Sequence, residues 1–265
     1  MLALIAGTGA LPAELVAQLD APPLVCALQG FEPAGVAVDI SFRIETLGTL
    51  VAELTARGVT ELCMAGGVRR PPIDPAAIDA ATLPLVPVLQ KALMQGDDGA
   101  LRALIGIVER AGIAVRAAHE IAPDLLPPPG VPTRSQPSEA DRADAARGAR
   151  IVAAMAAADV GQACAVARGQ ALAIEGVYGT DWMLASLLAR PDPQGGGLLY
   201  KAPKAGQDRR ADLPAIGPGT VRGAKAAGLG GIVIEAGGVM VLQRDATLAA
   251  CKTAGLFLWV REPEA

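Results

Sequence analysis

The sequence contains a single histidine, and aromatic residues make up only 3% of its 265 positions. A catalytic system in which histidine activates a serine or cysteine would depend on His119, yet neither a GxSxG motif nor a reactive-cysteine motif accompanies it. We therefore interpret His119 as a structural or ligand-positioning residue. Any chemistry is expected to depend on carboxylates, lysines and a metal ion.

Cysteine pairs and long apolar runs are also missing. The four cysteines lie far apart and form no CxxC pair, which argues against a zinc site or a thioredoxin-like motif. Their mostly apolar surroundings are typical of buried, reduced thiols, and these are typical of the cytoplasm. Glycine, proline or charged residues interrupt every apolar run before it could span a membrane, and the N-terminal segment lacks the basic flank of a signal peptide. We expect a soluble, cytoplasmic protein that is at most peripheral to the inner membrane.

Length and charge narrow the class of protein further. A chain of 265 residues suits two domains of ordinary size, and an apolar content of 52% is enough for a core in each. The net charge of −4 is mild, and no basic run with interleaved aromatic residues is present. Nucleic acid is therefore not expected as a partner.

The first half alternates short apolar runs with amphipathic stretches. This pattern predicts a Rossmann-like α/β domain with a parallel sheet over residues 1–122. The predicted strands are Leu2–Ala6, Leu24–Leu28, Glu61–Ala65 and Ile113–Ala117, and the predicted helices are Leu11–Leu19, Leu47–Arg57 and one that begins at Asp97 or Asp98 and continues to about Ala111.

A stretch with six prolines follows and predicts a loop or interdomain linker over residues 123–138. Residues 139–265 predict a second α/β domain with a mixed sheet, in which Arg168-Gly169-Gln170 marks a hairpin. The predicted helices are Glu139–Ala158, Thr180–Leu188, Thr220–Ala227 and Asp245–Ala254, and the predicted strands are Ala163–Ala167, Ala171–Glu175, Leu198–Ala202, Ile232–Ala236, Val239–Leu242 and Leu256–Val260.

The loop Gly7-Thr8-Gly9 follows the first predicted strand and opens a helix. Backbone N–H groups and the helix dipole favour an anionic ligand at such a place. Pro12 stands where a dinucleotide-binding fingerprint has its third glycine, and no convincing ribose-binding acid ends the second strand. We interpret the loop as nucleotide or sugar binding without NAD, and a tight turn without a ligand is the alternative.

Two further helix starts carry acids. Asp97 and Asp98 follow Gly96, and Thr180 and Asp181 follow Gly179. These groups can bind a metal ion or phosphate oxygens, or they can simply cap their helices, because acids and hydroxyl groups are favoured there in any case.

Charged residues are densest between Lys201 and Pro214, in a segment too rich in proline and glycine for a simple helix. Its cations are Lys201, Lys204, Arg209 and Arg210, and its acids are Asp208 and Asp212. A diphosphate needs cations to offset its charge and oxygen ligands to hold Mg²⁺, so the segment is predicted to bind one. A solvated charged loop is the alternative. Thr220 lies at a helix start that can face the same anion.

Taken in order, these motifs resemble the LpxI-type UDP-2,3-diacylglucosamine pyrophosphatases. That family has LIAGxGxLP, AGxVxRP, GDD-xLR and GTDxML motifs, then a late KxPK, DLPxIG, AGLxGIxxEAG and GLF series. The corresponding segments here are Leu4–Pro12, Ala65–Pro71, Gly96–Arg102, Gly179–Leu184, Lys201–Lys204, Asp212–Gly217, Ala227–Gly237 and Gly255–Phe257. The sequence departs from the family at Tyr178, where relatives often have Glu, and at Gln95, where they often have Lys.

The resemblance implies that substrate binds in the cleft between the two domains. It implies Mg²⁺-assisted attack of water on the α-phosphorus of UDP-2,3-diacylglucosamine, giving UMP and 2,3-diacylglucosamine 1-phosphate (lipid X) for lipid A biosynthesis. Asp212 would be essential, as a metal ligand or by orienting water. The other implied residues are the metal ligands Asp97 and Asp98, the catalytic residues Asp181 and Lys201, and the substrate-binding residues Gly7, Gly9, Leu11, Gly66, Arg70, Thr180, Lys204 and Thr220. A homodimer is also expected.

Two other functions stay open at this point. One is an NAD(P)-dependent oxidoreductase, against which the broken glycine fingerprint argues. The other is a non-catalytic UDP-sugar or lipid-binding protein, in which the acids only cap helices. For a diacylated substrate, the apolar helix Trp182–Leu188 is our candidate for one wall of an acyl-chain groove, and ordinary core packing is the alternative.

Overall fold

The computed structural model describes residues 1–69, 72–93, 96–191, 195–204 and 206–263. Side chains 92, 93 and 96–98 are not included in that description. The chain divides into two compact units. The first contains Met1–Pro123 together with Asp208–Asp212, and the second contains Asp124–Gln207 and Leu213–Ala265.

The first unit is built on a parallel sheet. Its elements are β1 (Leu2–Ala6), α1 (Leu11–Gln18), β2 (Leu24–Leu28), β3 (Ile40–Phe42), α2 (Leu47–Ala56), β4 (Glu61–Ala65), α3 (Val86–Leu93), α4 (Gly96–Arg110), β5 (Ala114–Arg116) and α5 (Ala118–Ile121). The five strands are all parallel, in the order β3-β2-β1-β4-β5. The strand order reverses between β1 and β4, and open α/β sheets bind ligands beside the carboxyl ends of strands at such a switch point.

The central strands of this sheet are apolar on both faces. In each of β1, β2 and β4, four of the five residues are buried, as expected for parallel strands that are covered on both sides. Helices α2 and α4 share one buried cluster with the sheet, which includes Leu50, Ile105 and Leu62. The predicted Rossmann-like fold with a parallel sheet is therefore confirmed.

The second unit has a mixed sheet, as predicted. Its elements are α6 (Glu139–Ala157), β6 (Ala163–Ala167), β7 (Gln170–Ile174), α7 (Gly179–Ser186), β8 (Leu198–Lys201), β9 (Ala215–Ile216), α8 (Pro218–Ala226), β10 (Gly231–Glu235), β11 (Met240–Val241), α9 (Arg244–Ala254) and β12 (Phe257–Arg261). The main sheet has the order β12-β10-β8-β6-β7. Strands β12, β10 and β8 are parallel, whereas β6 is antiparallel to both β8 and β7. Strands β9 and β11 form a separate parallel pair.

Helices cover both faces of the second sheet. Helix α6 packs on one face, where a β-carbon on Gly148 would stand 2.6 Å from the β-carbon of Tyr200. Helices α7, α8 and α9 pack on the other, with Leu184 and Leu199 in one buried cluster. Because alternate residues of a strand point to opposite faces, Lys201 lies on the same face as Leu199, beneath α7. In the described part of the chain, no helix combines the length and apolarity needed to cross a membrane.

The predicted hairpin joins β6 to β7. Its turn residues Arg168 and Gly169 have φ angles of 52° and 73°, and a type I′ turn requires positive φ at both positions. Asp144 in α6 is buried and accepts hydrogen bonds from both backbone N–H groups, at 2.9 and 2.6 Å. A buried carboxylate therefore stabilises the turn.

The proline-rich stretch lies along the outer edge of β12. Gly130 and Val260 exchange two backbone hydrogen bonds, of 2.9 and 2.8 Å, and the hydroxyl group of Thr133 accepts one from the Leu258 N–H at 3.0 Å. Apart from the bridge at Gly130, residues 126–137 contain neither helix nor strand. Hydrogen bonds to β12 fasten this stretch to the second unit.

Candidate functional site

Backbone hydrogen bonds join the loops after β1 and β4 at the switch point of the first sheet. Thr8 and Gly67 exchange two of them, at 3.0 and 2.8 Å, and the Gly7 N–H donates to Ala65 at 2.7 Å. A β-carbon on Gly7 would stand 2.6 Å from the Gly67 carbonyl oxygen, and one on Gly66 would stand 2.7 Å from that of Gly7. Gly7 and Gly66 are therefore required for the two loops to meet, whether or not a ligand is bound.

Gly9 and Leu11 follow this junction and lead into α1. Gly9 has a φ of +100°, and no described heavy atom lies within 4 Å of the position of a β-carbon there, so its surroundings are open. The Leu11 side chain is buried, which means that a ligand contact would come from its backbone N–H. Among the described residues, no side chain caps α1 at Ala10. The substrate contacts predicted for this loop stay predictions.

A buried polar cluster lies at the carboxyl end of β8 in the second unit. Lys201 Nζ donates to Thr180 Oγ1 at 2.8 Å, and that hydroxyl group donates to Glu175 Oε1 at 2.5 Å. The second carboxylate oxygen of Glu175 accepts a hydrogen bond from the Gln162 backbone N–H at 2.8 Å. The exposed fractions of Lys201, Thr180 and Glu175 are 7%, 9% and 6%. The structure thus brings together two predicted site residues, Lys201 and Thr180, and adds Glu175.

Strand pairing explains why these side chains meet. Lys201 pairs with Ala163 of β6, and on the other side of β6 the Glu175 N–H donates to the Ala163 carbonyl oxygen at 2.8 Å. Residues opposite one another in neighbouring strands project to the same face, so Lys201 and Glu175 flank β6 on the face that α7 covers. Thr180 is the second residue of α7 and lies between them. A β-carbon on Gly161 would overlap the carbonyl oxygen of Glu175, so Gly161 allows this close approach.

Glu175 was not among the predicted site residues. It was predicted as the last residue of a strand, whereas β7 ends one residue earlier, at Ile174. An acid followed by Gly176 at a strand end was the available signal, but its partners on β6 and α7 are distant in sequence. The departure at Tyr178 does not remove a carboxylate from this region, because Glu175 lies three residues before it.

The remainder of the α7 N-terminus is exposed. Asp181 is exposed to solvent. The rings of Tyr178 and Trp182 lie 5.3 Å apart, and these side chains are 73% and 58% exposed. The predicted acyl-chain wall is therefore divided between the core and the surface. Its core residues are Met183, Leu184 and Leu187, and its exposed apolar residues are Trp182 and Leu188.

Asp212 ends the five-residue segment that groups with the first unit. Arg210 donates to both carboxylate oxygens of Asp208, at 3.0 and 2.8 Å, and to Glu109 Oε1 at 2.7 Å. Ala211 packs against the buried cluster of the first unit. The Asp212 N–H donates to the Asp208 carbonyl oxygen at 3.3 Å, which closes a turn and leaves Asp212 half-buried.

Electrostatics link this segment to α4. Hydrogen bonds from Arg210 are the largest cause that lowers the pKa of Asp208, and attraction by the Arg102 guanidinium adds to it. Arg102 follows the helix start Gly96–Asp98 by about one turn. The segment that ends at Asp212 therefore lies beside the helix that carries the two other predicted metal ligands. The side chains of those two acids lie outside the described residues.

The other predicted residues have local partners or cannot be placed. Lys204 donates to Asp159 at 2.6 Å within the second unit. Thr220 Oγ1 accepts from the Gly217 N–H at 3.3 Å at the start of α8. Arg70 lies outside the described residues, as does Gln95.

Histidine and cysteine offer no obvious nucleophilic system. His119 Nδ1 is buried and has no hydrogen-bond partner among the residues that the structure describes. Burial lowers the pKa of His119, which favours the neutral form of its ring. All four cysteines are buried free thiols, and burial raises the pKa of Cys164, for example, to about 12. Thiolates are therefore scarce at neutral pH.

The described side chains do not form a ready-made metal cage. No group of three or more histidine, cysteine, aspartate or glutamate side chains is placed to hold a metal ion within that part of the chain. The side chains of Asp97 and Asp98 lie outside that part, so this statement does not include them.

Both halves of the chain match models of known protein domains. The LpxI N-terminal domain matches residues 1–125, and the LpxI C-terminal domain matches residues 128–259. A curated relative, the UDP-2,3-diacylglucosamine pyrophosphatase LpxI of Caulobacter vibrioides, is 35% identical over an alignment of 276 residues. That alignment covers 99% of this chain and 98% of the relative.

Proposed function

Because the chain belongs to the LpxI family, we propose that it hydrolyses the diphosphate of UDP-2,3-diacylglucosamine to UMP and 2,3-diacylglucosamine 1-phosphate, in lipid A biosynthesis. The observation that carries this proposal is the 35% identity to the Caulobacter vibrioides pyrophosphatase over 99% of this chain and 98% of that protein. The family resemblance predicted from the motifs is confirmed by the same comparison, and with it the prediction that the chain is a hydrolase.

The buried cluster around Lys201 supports chemistry on an anionic substrate. Cleavage of a diphosphate develops negative charge on the departing phosphate, and a fixed cation stabilises that charge best when it needs no reorganisation. Lys201 is almost fully buried, and the Thr180 hydroxyl group fixes its ammonium group at 2.8 Å. Electrostatic attraction is stronger in such a water-poor setting than in solvent.

We assign the essential carboxylate to Asp212. In the proposed reaction, the water oxygen bonds to the α-phosphorus, the bond from that phosphorus to the bridging oxygen breaks, and the sugar 1-phosphate leaves. Asp212 would orient the attacking water or hold a metal ion. Its place in the Asp212–Gly217 motif and the turn that fixes its backbone support the assignment.

We further propose Mg²⁺ as the cofactor, with Asp212, Asp97 and Asp98 as protein ligands. Mg²⁺ usually keeps several waters and binds through one or two carboxylates together with substrate phosphates, so it does not need a complete protein cage. When bound, it would offset charge on the diphosphate.

The substrate's two acyl chains suggest a role at a membrane surface. We propose peripheral contact through Val177, Tyr178 and Trp182, whose side chains are 90%, 73% and 58% exposed. Tyrosine and tryptophan favour the boundary between lipid and water. The buried free cysteines support a cytoplasmic location, where thiols stay reduced. A homodimer stays a prediction from the sequence.

The deciding experiment measures UMP release from UDP-2,3-diacylglucosamine in ¹⁸O-labelled water, with Mg²⁺ or with EDTA. We expect turnover with Mg²⁺ only, and the label in UMP. Label in the lipid product would show that water attacks the other phosphorus. Full activity in EDTA would contradict the requirement for Mg²⁺.

A matched control substrate tests the role of the acyl chains. UDP-N-acetylglucosamine has the same diphosphate without long chains, and we expect it to be cleaved far more slowly. Equal cleavage would favour a general nucleotide-sugar pyrophosphatase. Failure to release UMP from either substrate, combined with saturable NADH binding, would favour the oxidoreductase alternative.

A further inference from the structure

We infer that Glu175 is a positioning residue of this site. It fixes the hydroxyl group of Thr180, and through that group it holds the ammonium group of Lys201 in the place where it meets the diphosphate. The identity of the ligand rests on the proposed function, whereas the arrangement of the three side chains does not.

The direction of the hydrogen bonds follows from their chemistry. An ammonium group only donates, a carboxylate only accepts, and a hydroxyl group donates one hydrogen. Thr180 Oγ1 lies 2.8 Å from Lys201 Nζ and 2.5 Å from Glu175 Oε1. The hydroxyl hydrogen must therefore point at Glu175, which turns the oxygen lone pairs towards Lys201. Without the carboxylate, nothing in this chain of three would set that orientation.

The carboxylate is itself held at both oxygens. Oε1 accepts from Thr180 at the start of α7, and Oε2 accepts from the Gln162 N–H just before β6. Glu175 is therefore fixed between a helix and a strand, and it cannot rotate without losing one of these bonds. Its negative charge also offsets the buried charge of Lys201 across a single hydroxyl group, and a buried charge without such compensation is strongly unfavourable.

The second unit contains a matched comparison for this arrangement. Asp144 is also buried, at 6% exposure, and both its oxygens accept hydrogen bonds, but from the backbone of the β6–β7 turn. It has the chemistry of a buried carboxylate without the link to Lys201. If removal of a buried carboxylate lowers stability in itself, that loss of stability should be similar in variants of Asp144 and of Glu175.

The test compares Glu175→Gln with Asp144→Asn in the full chain. An amide presents one oxygen and one NH₂ group, so glutamine at position 175 cannot accept from both Thr180 and the Gln162 N–H through separate oxygens. We expect kcat on UDP-2,3-diacylglucosamine to fall about 100-fold in Glu175→Gln, since small displacements of a positioned group have effects of that size. Asp144→Asn should lower thermal stability to a similar extent and leave kcat within about twofold of wild type.

A double variant tests whether Glu175 acts through Thr180. Thr180→Val already removes the hydroxyl group that links Glu175 to Lys201, a link that we call the relay. Adding Glu175→Gln in that background should therefore reduce kcat much less than it does in the wild-type background. An undiminished effect of Glu175→Gln in that background overturns the inference. So does a folded Glu175→Gln protein whose kcat matches that of Asp144→Asn.

A measurement without substrate separates this inference from the proposed function. Acetylation of Lys201 by acetic anhydride, followed by mass spectrometry with the exposed Lys252 as internal reference, should be faster in Glu175→Gln and Thr180→Val than in wild type. An unchanged rate of Lys201 labelling overturns the positioning role of Glu175. If Glu175→Gln does not fold, the labelling rate of Thr180→Val provides the test. A wild-type protein without turnover overturns the proposed function alone, and the labelling then still reports on the relay.

Discussion

Arg210 donates a hydrogen bond of 2.7 Å to Glu109 in the last turn of α4. Arg210 also binds both oxygens of Asp208, so one guanidinium group joins the short segment Asp208–Asp212 to a helix of the first unit. Asp212 follows Arg210 by two residues. This contact therefore helps to fix the position of the Asp212 carboxylate, which we consider essential.

Replacing Arg210 should therefore reduce activity more than stability. We expect Arg210→Met to lower kcat by about tenfold or more, because Asp212 would lose its fixed position, and to cost no more than about 1 kcal/mol in unfolding free energy, as is usual for exposed ion pairs. Arg57→Met is the control, since Arg57 forms a comparably exposed pair with Glu53 in α2. Steady-state kinetics and urea unfolding of both variants test this. Equal activities in the two variants would contradict the positioning of Asp212 by Arg210.

Asp212 itself should be indispensable for turnover. Asp212→Ala is expected to reduce kcat by about 100-fold or more while the fold and substrate affinity persist, since the residue is half-buried and outside the core. Asp245→Ala, which removes an exposed acid from the first turn of α9, serves as the control. Activity of Asp212→Ala within tenfold of wild type would show that another group performs this role.

The glycines at the switch point should differ in their tolerance of a methyl group. A β-carbon on Gly7 would collide with the Gly67 carbonyl oxygen at 2.6 Å, whereas one on Gly67 would stand 3.3 Å from the Thr8 hydroxyl oxygen. Neither glycine has a positive φ, so the comparison isolates packing. We expect Gly7→Ala to cost about 1–3 kcal/mol and Gly67→Ala less than about 1 kcal/mol. An equal loss of unfolding free energy in the two variants, measured by thermal or urea unfolding, would mean that the collision at Gly7 is not the cause of the destabilisation.

Short, buried strands were predictable from the sequence because turn residues bound each apolar run. Strands β1, β2, β4 and β6 have the predicted limits. Strand β3 was missed, since three residues at a sheet edge give almost no pattern. Helix α3 was also not predicted, although Pro87 lies in its first turn, where a proline removes no needed donor.

The candidate site was less predictable because its contacts are distant in sequence. The hydroxyl group of Thr180 and the ammonium group of Lys201 suggested phosphate binding from the sequence. Only the pairing of β6 with β7 and β8 shows that Glu175 reaches them. The composition of Asp208–Asp212 indicated a charged loop. It carries no information on which unit this segment packs against, which is the first. Local patterns specify elements, whereas the partners of a side chain depend on the assembled sheet.

Glu45 should make stability depend on pH in the acid range. Hydrogen bonds from Arg43 are the largest cause that lowers the pKa of Glu45 from 4.5 to about 2, and the backbone N–H of Asp74 adds to it. A lowered folded-state pKa means that this stabilisation is present above the unfolded pKa and lost as pH falls from about 5 towards 2. We expect Glu45→Gln to cost roughly 1–3 kcal/mol at pH 7, and its difference from wild type to shrink over that range.

The matched control for this prediction is Glu53→Gln. Glu53 pairs with Arg57 on the surface of α2, so its replacement should change unfolding free energy by less than about 1 kcal/mol at pH 7. Urea unfolding of both variants and wild type between pH 7 and the acid limit of folding provides the measurement. A Glu45→Gln difference that stays constant down to pH 3 would contradict the origin that we assign to it.

Membrane contact should depend on the aromatic pair at the start of α7. We expect Trp182→Ser to reduce co-flotation with liposomes that contain anionic lipid, because the exposed indole can insert at the lipid–water boundary. Leu83→Ser is a matched control, as Leu83 is also 58% exposed but lies in the first unit. Equal flotation of Trp182→Ser and wild type would argue against this surface as the point of contact.

The grouping of Asp208–Asp212 with the first unit has a consequence for the order of events during translation. The ribosome completes Met1–Pro123 early, yet Ala211, which packs against that unit's core, is made only after Asp124–Gln207. Domains generally fold as units in the order of their synthesis, and here one short segment of the N-terminal unit is synthesised after most of the second unit. A gene split after codon 123 would therefore produce an N-terminal polypeptide without the segment Asp208–Asp212, and the cluster that Ala211 contacts would lose that cover.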